Sequence, residues 1–183
     1  MLRLEATELT KIVRILEAGA VIALPTDTVY GLVCKFDQVS AIEKIYLIKQ
    51  RPVTKPLQIL VSNWQQAKNL AVIDDQLIHE LEKKFSPGKV TVILKPKPAM
   101  IKNDYWNQWD NIAIRVTAST FIQKIIDHVG PLAASSCNLS QESPINESSK
   151  INLPNLDYVV NGKIINGKAS AVYNSLTKTI IRN

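Results

Sequence analysis

Short apolar runs alternate with segments of helical period along almost the whole chain, and few architectures satisfy that alternation. Val21-Ile22-Ala23-Leu24 ends at Pro25, residues 57–61 follow Pro56, and Val90–Leu94 follows the turn Ser86-Pro87-Gly88. Ile112–Val116 and residues 132–135 repeat the pattern. Runs that are apolar throughout read as strands buried on both faces. Between them, residues 7–18 bring Ile12, Val13, Ile15 and Leu16 to one helical face, with Thr7 as its cap and Gly19 as its stop. Ser40-Ala41-Ile42-Glu43 has the form of a capping box, opening a helix that turns Ile42, Ile45 and Ile48 inward and delivers Lys49 and Arg51 at its end. Helices are also predicted near 64–70, near 74–85 and over Thr120–Val129, which Gly130 closes. Strands return near 158–160, 171–174 and 178–182. No repeat, low-complexity tract or linker interrupts this order, so the expectation is a single α/β domain over residues 1–183, a twisted mixed sheet flanked by helices.

Composition narrows the function classes. A chain of 183 residues that is 46% hydrophobic can bury a core without staples. Cys34 and Cys137 are far apart and form no CxxC pair, so two free thiols are expected instead of a disulfide framework or a zinc site. The N-terminal stretch carries Glu5 and Glu8 where a signal peptide needs an apolar run, and no 18-residue apolar run occurs, so a cytoplasmic protein with no membrane span is expected. The net charge of +6 draws anions, whether nucleic acid or nucleotide, but it fits equally well with lysines spread over wet helix faces such as Lys83-Lys84.

Three segments offer chemistry. The usual phosphate cradles GxGxxG and GxxxxGK[ST] are absent, so a nucleotide would have to be held by side chains. Lys49-Gln50-Arg51-Pro52-Val53-Thr54-Lys55-Pro56-Leu57 sets three cations on a proline-stiffened connection. It reads either as a polyphosphate cradle or as cations complementing a helix C-terminus. Pro25-Thr26-Asp27-Thr28-Val29-Tyr30-Gly31-Leu32 follows a buried strand, where hydroxyls can grip a small polar ligand or simply shape a turn. Ala134-Ser135-Ser136-Cys137-Asn138-Leu139-Ser140 admits the same two readings. His79 and His128 fall inside predicted helices and read as ordinary surface residues.

Taken together and in order, these segments resemble the YrdC/TsaC family of threonylcarbamoyl-adenylate synthases. PTDTVYGL is similar to the family's PT(D/E)TVYGL, KQRPVTKPL to its KxRP segment, SPGKVT to its WPGPxT, IAIRV to its arginine strand and SSCNLS to its SANxSG, and Ser170 and Arg182 fit its closing segments. Departures are Ser86 for tryptophan, Lys89 for the second proline, Cys137 for alanine, Gln141 for glycine and Ala171 for threonine. Gln141 restricts a backbone that glycine leaves free. The chain looks like the family's short, single-domain form.

The resemblance implies an open basic cavity and an L-threonylcarbamoyladenylate synthase, a nucleotidyltransferase that joins ATP, L-threonine and bicarbonate and releases pyrophosphate. Mg²⁺ accompanies ATP, with no protein metal site. The resemblance assigns Lys49 and Arg51 to catalysis. It gives Lys49, Arg51, Lys55, Ser136, Asn138 and Arg182 to ATP, and Thr28, Arg115 and Ser170 to L-threonine. It further implies delivery of the product to the tRNA threonylcarbamoyl-transferase machinery, with a direct tRNA contact open. Apart from the resemblance, the polar stretch from Ser140 to Pro154 reads as a long mobile loop and a candidate lid. The alternatives are a non-enzymatic binder of double-stranded RNA or tRNA, a carbamoyl-adenylate module like that of hydrogenase-maturation proteins, and a cysteine hydrolase built on Cys137.

Overall fold

The architecture, taken from a computed structural model, is described for residues 1–98 and 104–183. Its strands in chain order are β1 (Leu2–Glu5), β2 (Ile22–Leu24), β3 (Gly31–Lys35), β4 (Gln58–Val61), β5 (Val90–Leu94), β6 (Ile112–Val116), β7 (Leu132–Ser136), β8 (Tyr158–Asn161), β9 (Ala171–Asn174) and β10 (Thr179–Arg182). The helices are α1 (Leu9–Glu17), α2 (Val39–Lys49), α3 (Trp64–Leu70), α4 (Asp75–Lys84), α5 (Asp104–Asn107) and α6 (Thr120–Val129). All the strands join one mixed sheet in the order β1-β8-β2-β3-β7-β4-β6-β5-β9-β10. This agrees with the α/β, mixed-sheet expectation.

Strand register decides what each face carries, because alternate side chains point to opposite sides. Gln58 lies opposite Ala113 and Ala134, and Leu60 opposite Arg115, so these five share one face. On that face α1 and α6 pack through Ile12, Leu16, Ile122 and Ile125 onto Ile22, Leu24, Val33, Leu60 and Leu132. The opposite face buries Ile59, Val61, Val92 and Ile114 against Ile42, Ile45 and Ile48 of α2, Ala67 of α3 and Leu81 of α4. The α1–α6 layer leaves β5, β6 and β9 uncovered on its side. A cavity lies there.

Helix starts follow their caps where a suitable side chain stands in place. Asn63, Asp74 and Ser119 each accept a backbone N–H from the first turn of α3, α4 and α6. Two expected caps are corrected. Thr7 sits in a turn before Glu8, which precedes α1 without any side-chain cap bond. Ser40 lies inside α2, which starts at Val39 after Gln38; Gln38 instead donates its side-chain amide to the Glu17 carbonyl, tying the two helices together. Strands β1 and β3 and the short helix α5 add to the expected elements. The stretch 140–154, expected as a long mobile loop, is pinned at several points: Ser140 N–H donates to the Lys49 carbonyl, Ile145 N–H to that of Cys137, and Ile151 and Leu153 are buried. Among the described residues no helix is long and apolar enough to cross a membrane.

Candidate active site

The cavity has a volume of about 420 Å³, within the range of sites for small organic ligands. Its floor is the bare sheet face, where Ala113 and Ala134 are too short to fill the space above them. Arg51, Arg115 and Arg182 line it against one carboxylate among the described lining residues, Glu142. Thr28, Ser136 and Ser170 line it as well.

Arg115 is the most constrained of the arginines. It projects from β6 and is 2% exposed. Its Nη1 donates to Thr28 Oγ1 at 2.8 Å and to the Gly88 carbonyl at 3.3 Å, and its Nη2 reaches Thr26 Oγ1 at 3.5 Å. Asp27 Oδ2 stands 3.5 Å from Nη1 as a charge contact without hydrogen-bond geometry, while Asp27 Oδ1 accepts from Thr117 Oγ1 at 2.7 Å. Burial lowers the Arg115 pKa, the Asp27 carboxylate opposes that, and the Arg182 charge adds to it. Arg115 Nε is buried without an acceptor. A buried charged donor beside a ligand-sized cavity calls for a partner that the described residues do not supply.

Thr26 and Thr28 owe their placement to a local turn. Thr26 Oγ1 donates to the Val29 carbonyl at 2.7 Å and accepts Thr28 N–H at 3.1 Å, which fixes the Thr28 hydroxyl against Arg115. On the far side Ser170 Oγ shares a 2.8 Å hydrogen bond with Thr91 Oγ1, which donates to Gln58 Oε1 at 3.0 Å. Arg182 from β10 clasps the Ser170 carbonyl with Nε at 3.1 Å and Nη2 at 2.8 Å. Arg51 folds back on its own loop, donating Nε to the Lys55 carbonyl and Nη2 to that of Pro56, each at 3.0 Å.

Thus the fold gathers Thr28, Arg51, Arg115, Ser136, Ser170 and Arg182 around one cavity, while Lys49, Lys55 and Asn138 lie outside its lining. Lys55 is exposed. Lys49 is 1% exposed and sits behind the turn after β7, where its ammonium meets the carbonyls of Ser136 at 2.5 Å and Asn138 at 2.7 Å, with Asn138 Oδ1 at 3.4 Å. Burial, then the Arg51 charge, pulls its pKa down to about 8, while the surrounding oxygens favour keeping the proton. Asn138 closes the same turn by donating Nδ2 to the carbonyls of Leu139 and Glu142. Sequence reasoning left Gln58, Thr91 and Ser135 out of the site. Thr91 and Ser135 stood inside quoted motifs, whereas nothing in the sequence marks Gln58 except its position two residues before Leu60.

Cys34 and Cys137 are free and buried, and burial pushes the Cys137 thiol up to about 12, the reverse of what a nucleophilic cysteine needs. His79 and His128 are both exposed on their helices. Among the described residues no group of three or more His, Cys, Asp or Glu gathers as a metal site.

Residues 14–183 match the profile of the Sua5/YciO/YrdC family, described as "Telomere recombination". The chain belongs to that family. Two curated members, both threonylcarbamoyl-AMP synthases, are similar to it over 141 residues. That of Photobacterium profundum is 36% identical, over 74% of this chain and 75% of its own. That of Vibrio campbellii is 38% identical, over 73% and 74%. The Sua5 protein of P. abyssi, solved in complex with L-threonine, superposes with a TM-score of 0.80 at 25% identity over 96% of this chain. The alignment spans about half of that Sua5 protein, 53%. In this chain the motifs reach the cavity wall: PTDTVYGL through Thr26 and Thr28, IAIRV through Arg115, and SSCNLS through Ser135 and Ser136.

Proposed function

We propose that this chain is an L-threonylcarbamoyladenylate synthase, making threonylcarbamoyl-AMP and pyrophosphate from ATP, L-threonine and bicarbonate for the threonylcarbamoyladenosine modification of tRNA beside the anticodon. The observation that carries the reading is Arg115, a buried arginine with an unsatisfied Nε that shares one cavity with Thr28, Ser170 and two further arginines. The likeness to curated synthases and to an L-threonine complex supports it.

In this scheme the Nε–Nη2 edge of Arg115 takes the threonine carboxylate as a fork, with Nη2 giving up its long 3.5 Å contact to Thr26, because Nη1 is already spent on Thr28 and Gly88. Thr28 and Ser170 supply hydroxyls beside it. The threonine amine forms a bond to the bicarbonate carbon as one C–O bond breaks and water leaves, giving an N-carbamate whose oxygen attacks the α-phosphorus. The bond to the β-phosphate oxygen breaks, and pyrophosphate leaves with that electron pair. Charge grows on phosphoryl oxygens and leaving group, so preorganised cations supply most of the stabilisation. Arg51 and Arg182 fill that role from the lining, with Ser136 on the nucleotide. Lys49 and Asn138 serve the nucleotide from behind by fixing the Ser136 turn, and Lys55 adds its charge to the approach of the polyphosphate. Mg²⁺ enters with ATP on its phosphate oxygens.

The product is a mixed anhydride open to hydrolysis, so it passes to the tRNA threonylcarbamoyl-transferase machinery in the cytoplasm, with a direct tRNA contact by this basic chain left open. The test is pyrophosphate release from Mg·ATP with and without L-threonine and bicarbonate. Release that depends on both supports the synthase. Nucleotide binding without release identifies a binding protein, and RNA binding without ATP turnover identifies the non-enzymatic alternative.

A further inference from the structure

The segment that presents Arg51 is held by groups outside every motif quoted above. The Lys55 carbonyl accepts both Arg51 Nε at 3.0 Å and the Tyr46 hydroxyl at 2.9 Å. Tyr46 thereby spends its only hydrogen, so in its short contact with Tyr105 it can only accept, and Tyr105 is the donor. The Tyr105 oxygen in turn accepts the Leu57 N–H at 3.4 Å. Donor direction is therefore fixed around a closed ring, from Leu57 N–H through Tyr105 and Tyr46 to the Lys55 carbonyl. Both ends of the ring land on residues 55–57, whose carbonyls at 55 and 56 hold the guanidinium of Arg51.

We infer that Tyr46 and Tyr105 are positioning residues for Arg51, setting its free edge toward the cavity by locking the backbone of residues 55–57. Tyr46 comes from α2 and Tyr105 from α5, so the segment is clamped between two elements instead of by its own turn alone. The clamp is stiff. Tyr105 meets Trp106 edge-on at 4.8 Å between ring centroids and Trp109 at 6.4 Å, and Trp106 stacks on Phe36 at 5.0 Å. Tyr46 is 6% exposed, so water does not replace its hydroxyl partners cheaply. With Nε and Nη2 committed to the loop, Nη1 is the Arg51 nitrogen left without a partner among the described residues. Where it points is decided by the carbonyls of residues 55 and 56. Losing either tyrosine hydroxyl frees that peptide to turn, and the guanidinium turns with it.

This inference rests on the reading that Arg51 meets the ATP phosphates, and a double-mutant cycle separates the two. Pyrophosphate release is measured with Mg·ATP varied at saturating L-threonine and bicarbonate, then with L-threonine varied, for wild type, Tyr105→Phe, Tyr46→Phe, Arg51→Ala and Arg51→Ala combined with each tyrosine change. Each single Phe variant is expected to raise the KM for ATP roughly threefold to tenfold, the scale of one net hydrogen bond, while the KM for L-threonine stays unchanged. On the Arg51→Ala background the same change should add nothing. An equal rise on both backgrounds, or for both substrates, overturns the inference and makes the tyrosines plain packing. An unchanged ATP KM in both Phe variants, with Arg51→Ala impaired, overturns it and leaves the function standing. A normal ATP KM in Arg51→Ala removes the phosphate role of Arg51 and the inference with it. Should Tyr105→Phe fail to fold, Tyr46→Phe decides alone, because it leaves Tyr105 and its aromatic contacts in place.

Discussion

Asp27 shows how a residue outside the cavity lining can govern one inside it. Its carboxylate, 3.5 Å from Arg115 Nη1 and anchored by Thr117, is the counter-charge that keeps a buried guanidinium tolerable. Asp27→Asn keeps the shape and removes the charge, so the KM for L-threonine should rise roughly tenfold, the equivalent of about 1.4 kcal/mol, with ATP binding little changed. Steady-state kinetics with each substrate varied checks this, and an unmoved threonine KM counts against the role of Arg115. Lys49 makes a different forecast. Its folded pKa of about 8 lies below the ordinary 10.5, so between those values the unfolded chain holds more protons than the folded one. Stability should therefore climb with pH through that window, by up to about 3 kcal/mol, and Lys49→Met should abolish the climb. It should also cost about 3 kcal/mol at neutral pH by stranding the carbonyls of Ser136 and Asn138. Urea unfolding of both proteins from pH 7 to 10 provides the comparison; parallel curves would exclude a titrating Lys49. The sequence showed that these residues carry charge. It could not show which side of the β7 turn Lys49 would occupy, because that depends on where α2 meets a strand more than eighty residues later.

At the scale of elements, turns decide how well the walls hold. Gln141 adopts φ 74°, a left-handed conformation that glycine takes at no steric cost. Gln141→Gly should therefore raise stability by about 1 kcal/mol, read as a shift in denaturation midpoint; a loss would mean that the glutamine side chain stabilises the loop in some other way. Gly88 poses the opposite case: at φ 74° a Cβ would stand 2.0 Å from Asp27 Oδ2. Gly88→Ala should push Asp27 away from Arg115 and weaken threonine binding along with stability. Elements with a long apolar run or a clear stop were legible in the sequence, as α6 with its closing Gly130 shows. Strand β1 was not, since only Leu4 of its four residues is buried and four residues of alternation cannot be told from the start of a helix. The apparent capping box at Ser40 failed because Gln38 found a partner on α1, which no local pattern reveals. The site was legible to the extent that motifs marked strand ends; Gln58 and the Tyr46–Tyr105 ring come from tertiary pairing and left no local signal.

Across the whole molecule, the cavity depends on strands that are remote in sequence. Arg182 arrives from β10, a strand whose residues are all exposed and which among the described residues pairs only with β9. Arg182→Ala should thus leave the core and melting temperature nearly intact while raising the KM for ATP at least several-fold, on the scale of a lost charged hydrogen bond of about 1.5 kcal/mol or more. A melting temperature that collapses would show the arginine to be structural instead. At the other edge, β8 lies between β1 and β2 and runs parallel to both, with Leu2 and Ile22 each paired to Tyr158. The first two strands are not paired with one another: β2 can seat against β3 on one side, but its other edge, and β1 beyond it, wait for residues 158–161. A chain emerging from the ribosome therefore carries β1 unpaired and one edge of β2 bare until most of it has been made. Refolding should be slow on the scale of small domains, as such distant pairings demand, and that waiting interval is when the bare edge of β2 is open to the wrong neighbour.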